Sequence, residues 1–126
     1  MKLRIRDNSL RLRLAKSEVA SLDAGGTVEA SIEFPGGTQL GYSACLVPEA
    51  PAMTASFRDN VLCVAIPQDL GRAWAQSEEI SLLAVVELDN AELTILVEKD
   101  FVCLTPREGE DESDLYPHPE QGQAAC

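Results

Sequence analysis

Arginines alternate with apolar residues in two short runs near the N-terminus, and these runs offer the clearest binding chemistry in the chain. Side chains of a β-strand alternate between its two faces, so the arginines of both runs should project from one face of a hairpin. This basic face could bind an anionic partner, or its arginines could form ion pairs with acidic side chains on neighbouring strands. The ion-pair interpretation is favoured, and the candidate binding residues on this face are Arg4, Arg6, Arg11 and Arg13.

The last part of the chain, residues 105–126, is acidic and contains few apolar residues. Such a segment cannot bury enough apolar area to fold alone, so we predict a flexible, solvated tail. Leu115 and Tyr116 are apolar exceptions, and they could anchor this acidic tail to a protein partner. The metal-ligating atoms of the tail match no calcium loop, and its histidine lies between two prolines, so no metal is predicted. The residues that carry those atoms are Asp111, Asp114, His118 and Glu120.

Catalytic chemistry has little support in the sequence. The single histidine, His118, belongs to the tail, so no serine or cysteine of the body has an obvious imidazole base. The adjacent carboxylates of Glu78 and Glu79 are better explained as a solvated turn, and Glu-Lys-Asp at 98–100 as the charged face of a strand. The paired glycines lack the helix start that a phosphate-binding loop needs. We therefore predict a protein that is not an enzyme and needs no cofactor.

The composition indicates one globular domain whose charge opposes binding to nucleic acid. The chain has 126 residues, 45% of them hydrophobic, and its 21 acidic against 10 basic residues give a net charge of -11. This charge repels a polyanion at the level of the whole molecule, so nucleic acid is a disfavoured partner. The apolar stretches are too short to span a bilayer, and no membrane partner is expected.

The N-terminus and the cysteines predict a cytoplasmic protein. Charged residues interrupt the apolar ones over the first six positions, which is not the pattern of a secretory signal. Cys45, Cys63 and Cys103 are widely spaced and are predicted to be small core residues that stay reduced. Cys126, the last residue, is predicted to be an exposed free thiol.

Turn, strand and helix signals occur in the same order in the two halves of the chain. Strands are predicted at 3–5 and 10–14, a helix at 16–23, and further strands at 27–34 and 40–47. Arg-Asp-Asn occurs at 6–8 and again at 58–60, which is a shift of 52 residues, and similar signals follow both turns. Trp74 then corresponds to Leu22, and Trp74 is predicted to be buried.

This order predicts a mainly β protein with two short helices, built from two ββαββ repeats. Four short strands and one helix cannot cover both faces of their own sheet, so the repeats should pack together or interleave. The predicted product is a pseudo-two-fold barrel or barrel-like sandwich. It would form a single domain at 1–104, with repeats at about 1–50 and 53–104, followed by the flexible acidic tail at 105–126.

Short motifs in both halves resemble the swapped-hairpin domain of AbrB-type regulators and MazE-type antitoxins. They include Asn-Ser-Leu-Arg-Leu-Arg-Leu at 8–14 and Ile-Pro-Gln-Asp-Leu at 66–70, and the resemblance covers about residues 3–100. In that family two chains interleave to form the barrel, so the resemblance implies that this chain carries both copies. It also implies DNA contacts by Arg4, Arg6 and Arg13, for which the second half offers only Arg58, and an acidic tail that binds a toxin.

The whole chain also resembles a small uncharacterised bacterial family, which implies no known activity. The resemblance includes Leu-Val-Glu-Lys-Asp-Phe-x-Cys-Leu at 96–104. These observations favour a non-enzymatic binding protein of the bacterial cytoplasm, with the basic face and the acidic tail as its two candidate contact surfaces. The alternative is a DNA-binding regulator or antitoxin of the swapped-hairpin type.

Overall fold

The structure, a computed structural model, describes residues 1–102 and 113–117. The chain forms the element order ββαββ twice in succession. The first half contains β1 (Lys2–Arg6), β2 (Ser9–Leu14), α1 (Lys16–Asp23), β3 (Val28–Glu33) and β4 (Gln39–Val47). The second half contains β5 (Thr54–Arg58), β6 (Val61–Pro67), α2 (Gln68–Ala75), β7 (Ser81–Glu87) and β8 (Glu92–Lys99). The predicted mainly β class with two short helices is therefore confirmed.

The strands form two four-stranded sheets, and each sheet contains one hairpin from each half of the chain. Sheet A has the order β1-β2-β8-β7, and sheet B has the order β3-β4-β6-β5. Strands of one hairpin pair antiparallel, whereas the central pairs β2–β8 and β4–β6 are parallel. In the described part of the chain no strand of one sheet pairs with a strand of the other, so the barrel is not closed.

The two Arg-Asp-Asn turns hold equivalent places in the sheets. Asp7 and Asp59 adopt left-handed backbone angles, with φ of 49° and 51°, which aspartate and asparagine tolerate better than most residues. The carbonyl of Asn8 accepts a hydrogen bond from Thr94 N at 3.2 Å, and the carbonyl of Asn60 accepts one from Gly41 N at 2.8 Å. Each turn is thus fixed to the hairpin of the other half.

One hydrophobic core receives buried side chains from the inward faces of both sheets and from both helices. The predicted burial of Trp74 is confirmed: its side chain is inaccessible to solvent, and its Nε1 donates a hydrogen bond to the carbonyl of Ile80 at 3.0 Å. The buried apolar residues are Leu12, Leu14, Val19, Leu22, Val28, Ala44, Met53, Val64, Ile66, Trp74, Leu82, Ile95 and Val97.

Helix α2 packs closely on sheet B at Gly71. A methyl group on Gly71 would overlap the side chain of Leu46 and lie 3.1 Å from Cγ2 of Ile66. The absence of a side chain therefore permits this close approach. In the described ranges, neither α1 nor α2 has the length and apolar character needed to cross a membrane.

Two carboxylates stabilise the start of α1: that of Glu18, within the helix, and that of Asp114, far along the chain. The first amide groups of a helix lack intrahelical partners, and negative charge is favourable there. Glu18 accepts hydrogen bonds from the Ala15 amide at 2.9 Å and from the Met1 amino group at 2.6 Å. Asp114 accepts hydrogen bonds from the backbone N and the hydroxyl of Ser17. The described residues 113–117 are therefore attached to α1.

Candidate functional site

An open groove of about 350 Å³ lies on the outer face of sheet A. The strand register places Arg4 beside Arg11, Arg11 beside Leu96, and Leu96 beside Leu83, so one row of side chains crosses the whole sheet. The groove is lined by Arg4, Arg6, Ser9, Leu10, Arg11, Leu83, Thr94 and Leu96.

The alternation of each strand explains why all of these side chains except that of Leu10 face outward. Leu12, Leu82 and Ile95 occupy inward positions and are almost completely buried in the core. Residues next to them in sequence must face the other way, which places Arg11, Leu83 and the flanking outward residues on the solvent side. The prediction that all four arginines share one face of a hairpin agrees with this register.

Ion pairs occupy one end of the basic face. Glu98 Oε1 lies 2.7 Å from Arg13 Nε and 3.3 Å from Arg11 Nε. Glu98 and Arg13 side chains are only 14% and 18% exposed, so this pairing is better shielded than a surface ion pair. The favoured ion-pair interpretation therefore describes Arg11 and Arg13.

The other end of the basic face is open. Arg4 and Arg6 are exposed, and no acidic group of the described residues lies within ion-pair distance of either guanidinium group. Ser9 and Thr94 add hydroxyl groups to the same part of the groove. Arg4, Arg6 and Thr94 can donate hydrogen bonds to a carboxylate or another anionic group, whereas the hydroxyl of Ser9 already donates to the carbonyl of Arg6 at 2.6 Å.

The opposite wall of the groove is apolar. Leu83 on the edge strand β7 is 67% exposed, and its outward neighbour Val85 is 50% exposed. Leu96 lies between this apolar wall and Arg11, and it is half-buried. The groove therefore suits a ligand that carries negative charge on one side and apolar groups on the other.

The apolar wall was not predicted from the sequence, although a signal for it exists. The segment Ser-Leu-Leu-Ala-Val-Val-Glu of β7 has apolar residues on both faces, whereas a half-buried strand usually alternates. Leu83 and Val85 are the outward members of this run. Their position beside the arginines depends on the parallel pairing of β2 with β8, which joins distant parts of the chain.

The outer face of sheet B differs at the matching positions. A shift of 52 residues places Ser56 at the position of Arg4, Cys63 at that of Arg11 and Ala65 at that of Arg13, so Arg58 is the one arginine retained. The hairpin registers also place Glu29 at the position of Leu83. The basic and apolar pattern thus belongs to sheet A.

Leu115 and Tyr116 lie against the body of the protein in this structure. Tyr116 N donates a hydrogen bond to the carbonyl of Asp100 at 2.8 Å, and Tyr116 O accepts one from Val102 N at 2.6 Å. The ring of Tyr116 lies 5.4 Å from that of Phe101, and Leu115 is half-buried. Residues 105–112 and 118–126 lie outside the described residues, so the predicted flexible tail and its binding of a partner stay predictions.

Lys99 is buried next to Tyr116, which corrects its assignment to a charged strand face. Its Nζ donates a hydrogen bond to the carbonyl of Ser77 at 2.6 Å and lies 5.5 Å from the ring centre of Trp74 and 5.7 Å from that of Tyr116. Burial lowers the pKa of Lys99, and the nearby Glu79 and Glu78 carboxylates oppose this shift.

Burial has the opposite effect on the phenol of Tyr116. It raises the pKa of Tyr116, and the Asp114 carboxylate adds to the shift. Burial therefore disfavours the charged form of each side chain, the ammonium of Lys99 and the phenolate of Tyr116, as is usual for ionisable groups removed from water.

Of the four tail residues that carry metal-ligating atoms, for which no metal was predicted, only Asp114 lies within the described residues. Asp114 binds the start of α1, and the other three, Asp111, His118 and Glu120, lie outside the described residues. Within residues 1–102 and 113–117, no group of at least three histidine, cysteine, aspartate or glutamate side chains is arranged to hold a metal ion.

Residues 1–120 match a family model that is described as a family of unknown function (DUF7009). The chain belongs to this family. No curated protein and no solved structure is significantly similar to the chain. Membership of DUF7009 agrees with the predicted resemblance to an uncharacterised family, whereas the relation to AbrB-type and MazE-type proteins stays a prediction.

Proposed function

We propose that this member of DUF7009 is a non-enzymatic binding protein that holds an acidic segment of a protein partner in the groove on sheet A. The juxtaposition of exposed arginines with an exposed apolar wall carries this proposal. Arg4 and Arg6 would bind carboxylates, and Leu83 and Leu96 would cover apolar side chains of the same segment. The free thiols of Cys45 and Cys63 are compatible with the predicted cytoplasmic location.

The apolar wall favours a protein segment over a nucleic acid duplex. Phosphate groups would gain from the arginines but would place no apolar group against Leu83. A two-fold symmetric DNA contact would also need a second set of arginines, and the outer face of sheet B offers Arg58 alone at the matching positions. The net charge of -11 also repels a duplex more strongly than a short acidic segment, because a duplex has a far higher density of negative charge.

Titration with short peptides tests this function. The probe is a labelled peptide of alternating glutamate and leucine, and the comparison peptide of alternating glutamate and serine has the same charge without the apolar groups. A hydrogen bond to a charged group contributes about 1.5–3 kcal/mol, so losing one arginine contact should weaken binding roughly tenfold or more. We expect this loss for Arg6→Ser and tighter binding of the glutamate–leucine peptide by the wild-type protein.

Arg58→Ser provides the matched control, because Arg58 holds on sheet B the position that Arg6 holds on sheet A. It should leave peptide binding unchanged. Equal losses in the two variants, or equal affinity for the two peptides, would contradict the proposal. Circular dichroism of both variants checks that the fold is intact.

We also propose that the two halves are copies of one swapped-hairpin unit similar to that of AbrB-type and MazE-type proteins. The supporting observation is that each sheet contains one hairpin from each half, joined through parallel central strands. A DNA-binding regulator or antitoxin is therefore the second candidate function. A random DNA duplex in the same titration distinguishes it: tighter binding of the duplex than of either peptide, with a steep salt dependence, would favour this candidate.

A further inference from the structure

The outer face of sheet B holds two neighbouring thiols that the proposed groove does not use. Cys45 lies on β4 and Cys63 on β6, and the parallel register pairs Cys63 with Ser43, two residues before Cys45. Their neighbours Ala44 and Val64 fill the inward positions and are fully buried, so both cysteines face outward. The two thiols are close enough for Cys63 to contribute to the raised pKa of Cys45. This corrects the prediction that Cys45 and Cys63 are core residues.

The surroundings leave the thiols accessible. Both cysteines are half-buried, and the outward positions beside Cys63 are the small residues Ser43 and Ser56. Burial raises the pKa of Cys45, and the adjacent Cys63 adds to the shift, so the neutral thiol of Cys45 is favoured when no ion is bound.

The diagonal spacing distinguishes two uses of such a pair. Adjacent strands lie about 4.8 Å apart and two residues of a parallel strand advance about 6.6 Å, so diagonal neighbours have α-carbons about 8 Å apart, whereas a disulfide usually needs about 4.4–6.8 Å. A metal ion bound to two thiolates at about 2.3 Å from each bridges sulfurs that are up to about 4.6 Å apart. The geometry therefore favours a bridging ion over a direct sulfur–sulfur bond.

We propose that Cys45 and Cys63 form a two-thiolate binding site for a soft monovalent metal ion, copper(I). Thiolate is a soft ligand that selects copper(I), and copper(I) accepts two-coordinate binding. Structural zinc needs four ligands, and the described residues provide no third histidine, cysteine, aspartate or glutamate at this site. Binding converts two thiols and one copper(I) ion into an anionic bis-thiolate complex and releases two protons, so affinity rises with pH.

The experiment uses the full chain, reduced and kept free of oxygen, in competition with a coloured copper(I) chelator. We expect the wild-type protein to withdraw one equivalent of copper(I) from the chelator. Cys45→Ser and Cys63→Ser should each abolish this, whereas Cys103→Ser and Cys126→Ser, the matched cysteine controls, should retain it. Loss in the two control variants instead of the first two would overturn the proposal.

Alkylation mapping gives a second measurement that does not depend on the folding of a variant. Copper(I) should protect Cys45 and Cys63 of the wild-type protein from iodoacetamide, while the extent of alkylation of Cys103 and of Cys126 should be the same with and without copper(I). Unprotected alkylation of both cysteines at one equivalent of copper(I) would overturn the proposal. Mild oxidation that produces a Cys45–Cys63 disulfide, in a protein that withdraws no copper(I), would also overturn it and assign a redox role instead.

Discussion

The inward faces of sheets A and B carry the same kind of residue, but their outward faces have little in common. Inward, Leu12 of β2 and Val64 of β6 occupy matching positions, and both are inaccessible to solvent. Outward, sheet A combines exposed arginines with the apolar side chains of Leu83 and Leu96, whereas sheet B has small residues and two thiols.

This difference separates the requirements of folding from those of binding. Residues that face the shared core must fill it at high density, so their size and apolar character are constrained in both halves. Residues on the outer faces contribute less to the core and can differ without loss of the fold. The asymmetry of the outer faces is therefore where function should be sought, and three predictions test the comparison.

The largest effect should come from substitutions that remove matching core side chains. Trp74 and Leu22 are 0% and 1% exposed on matching faces of the two helices. Trp74→Ala should lower the free energy of unfolding by about 3–5 kcal/mol and Leu22→Ala by about 2–5 kcal/mol, because each leaves a cavity. Urea denaturation followed by circular dichroism measures both.

Leu70→Ala on α2 is the control for this pair, because Leu70 is 44% exposed. Leu70→Ala should lower the free energy of unfolding clearly less than either core substitution does. A loss for Trp74→Ala no larger than that for Leu70→Ala would show that the inward faces do not contribute equally.

An intermediate effect is expected where the inward faces differ. Gly71 on α2 matches Val19 on α1, and only at Gly71 does a sheet residue, Leu46, leave no room for a methyl group. Overpacking in Gly71→Ala should therefore lower the free energy of unfolding by about 1–3 kcal/mol. The higher helix propensity of alanine should offset about 1 kcal/mol of this loss. The midpoint of urea denaturation measures the change.

Arg72→Ala, at the next and exposed position of α2, should change stability by no more than about 0.5 kcal/mol. A Gly71→Ala variant that is more stable than the wild-type protein would mean that helix propensity outweighs packing at this contact.

The smallest effect should appear as a dependence of stability on pH. Lys99 on β8 matches Leu46 on β4, and its pKa is lowered by burial, whereas the amino group of the unfolded chain titrates near about 10.4. Between the lowered pKa of Lys99 in the folded protein and its pKa in the unfolded chain, the unfolded chain binds more protons than the folded protein. The free energy of unfolding therefore rises with pH in this range. Lys99→Leu, which makes sheet A resemble sheet B here, should remove this rise.

The difference between the wild-type and Lys99→Leu proteins in the pH dependence of the free energy of unfolding isolates the contribution of Lys99, because Tyr116 titrates in both proteins. The raised pKa of Tyr116 acts in the opposite sense, since its contribution to stability is lost as the phenol of the unfolded chain ionises at alkaline pH. Parallel stability curves for the two proteins as the pH approaches about 10.4 would contradict the assignment to Lys99.

Local patterns in the sequence were sufficient to predict the elements and the basic face. The helix at 16–23, the N-terminal hairpin and the common face of Arg4, Arg6, Arg11 and Arg13 all follow from residue spacing, and the structure agrees with them. The same alternation could have placed Cys63 on the outer face, since it lies between the inward residues Leu62 and Val64.

The apolar wall, the thiol pair and the ion pairs of the arginines were decided by the tertiary structure. Each depends on a parallel contact between strands from different halves, such as the one that brings Arg13 to Glu98 across 85 residues of sequence. Alternation and turn residues act over a few positions, because they follow from backbone geometry and side-chain sterics. The choice of a distant strand partner depends on how the whole chain buries its apolar surface, and no local segment contains that information.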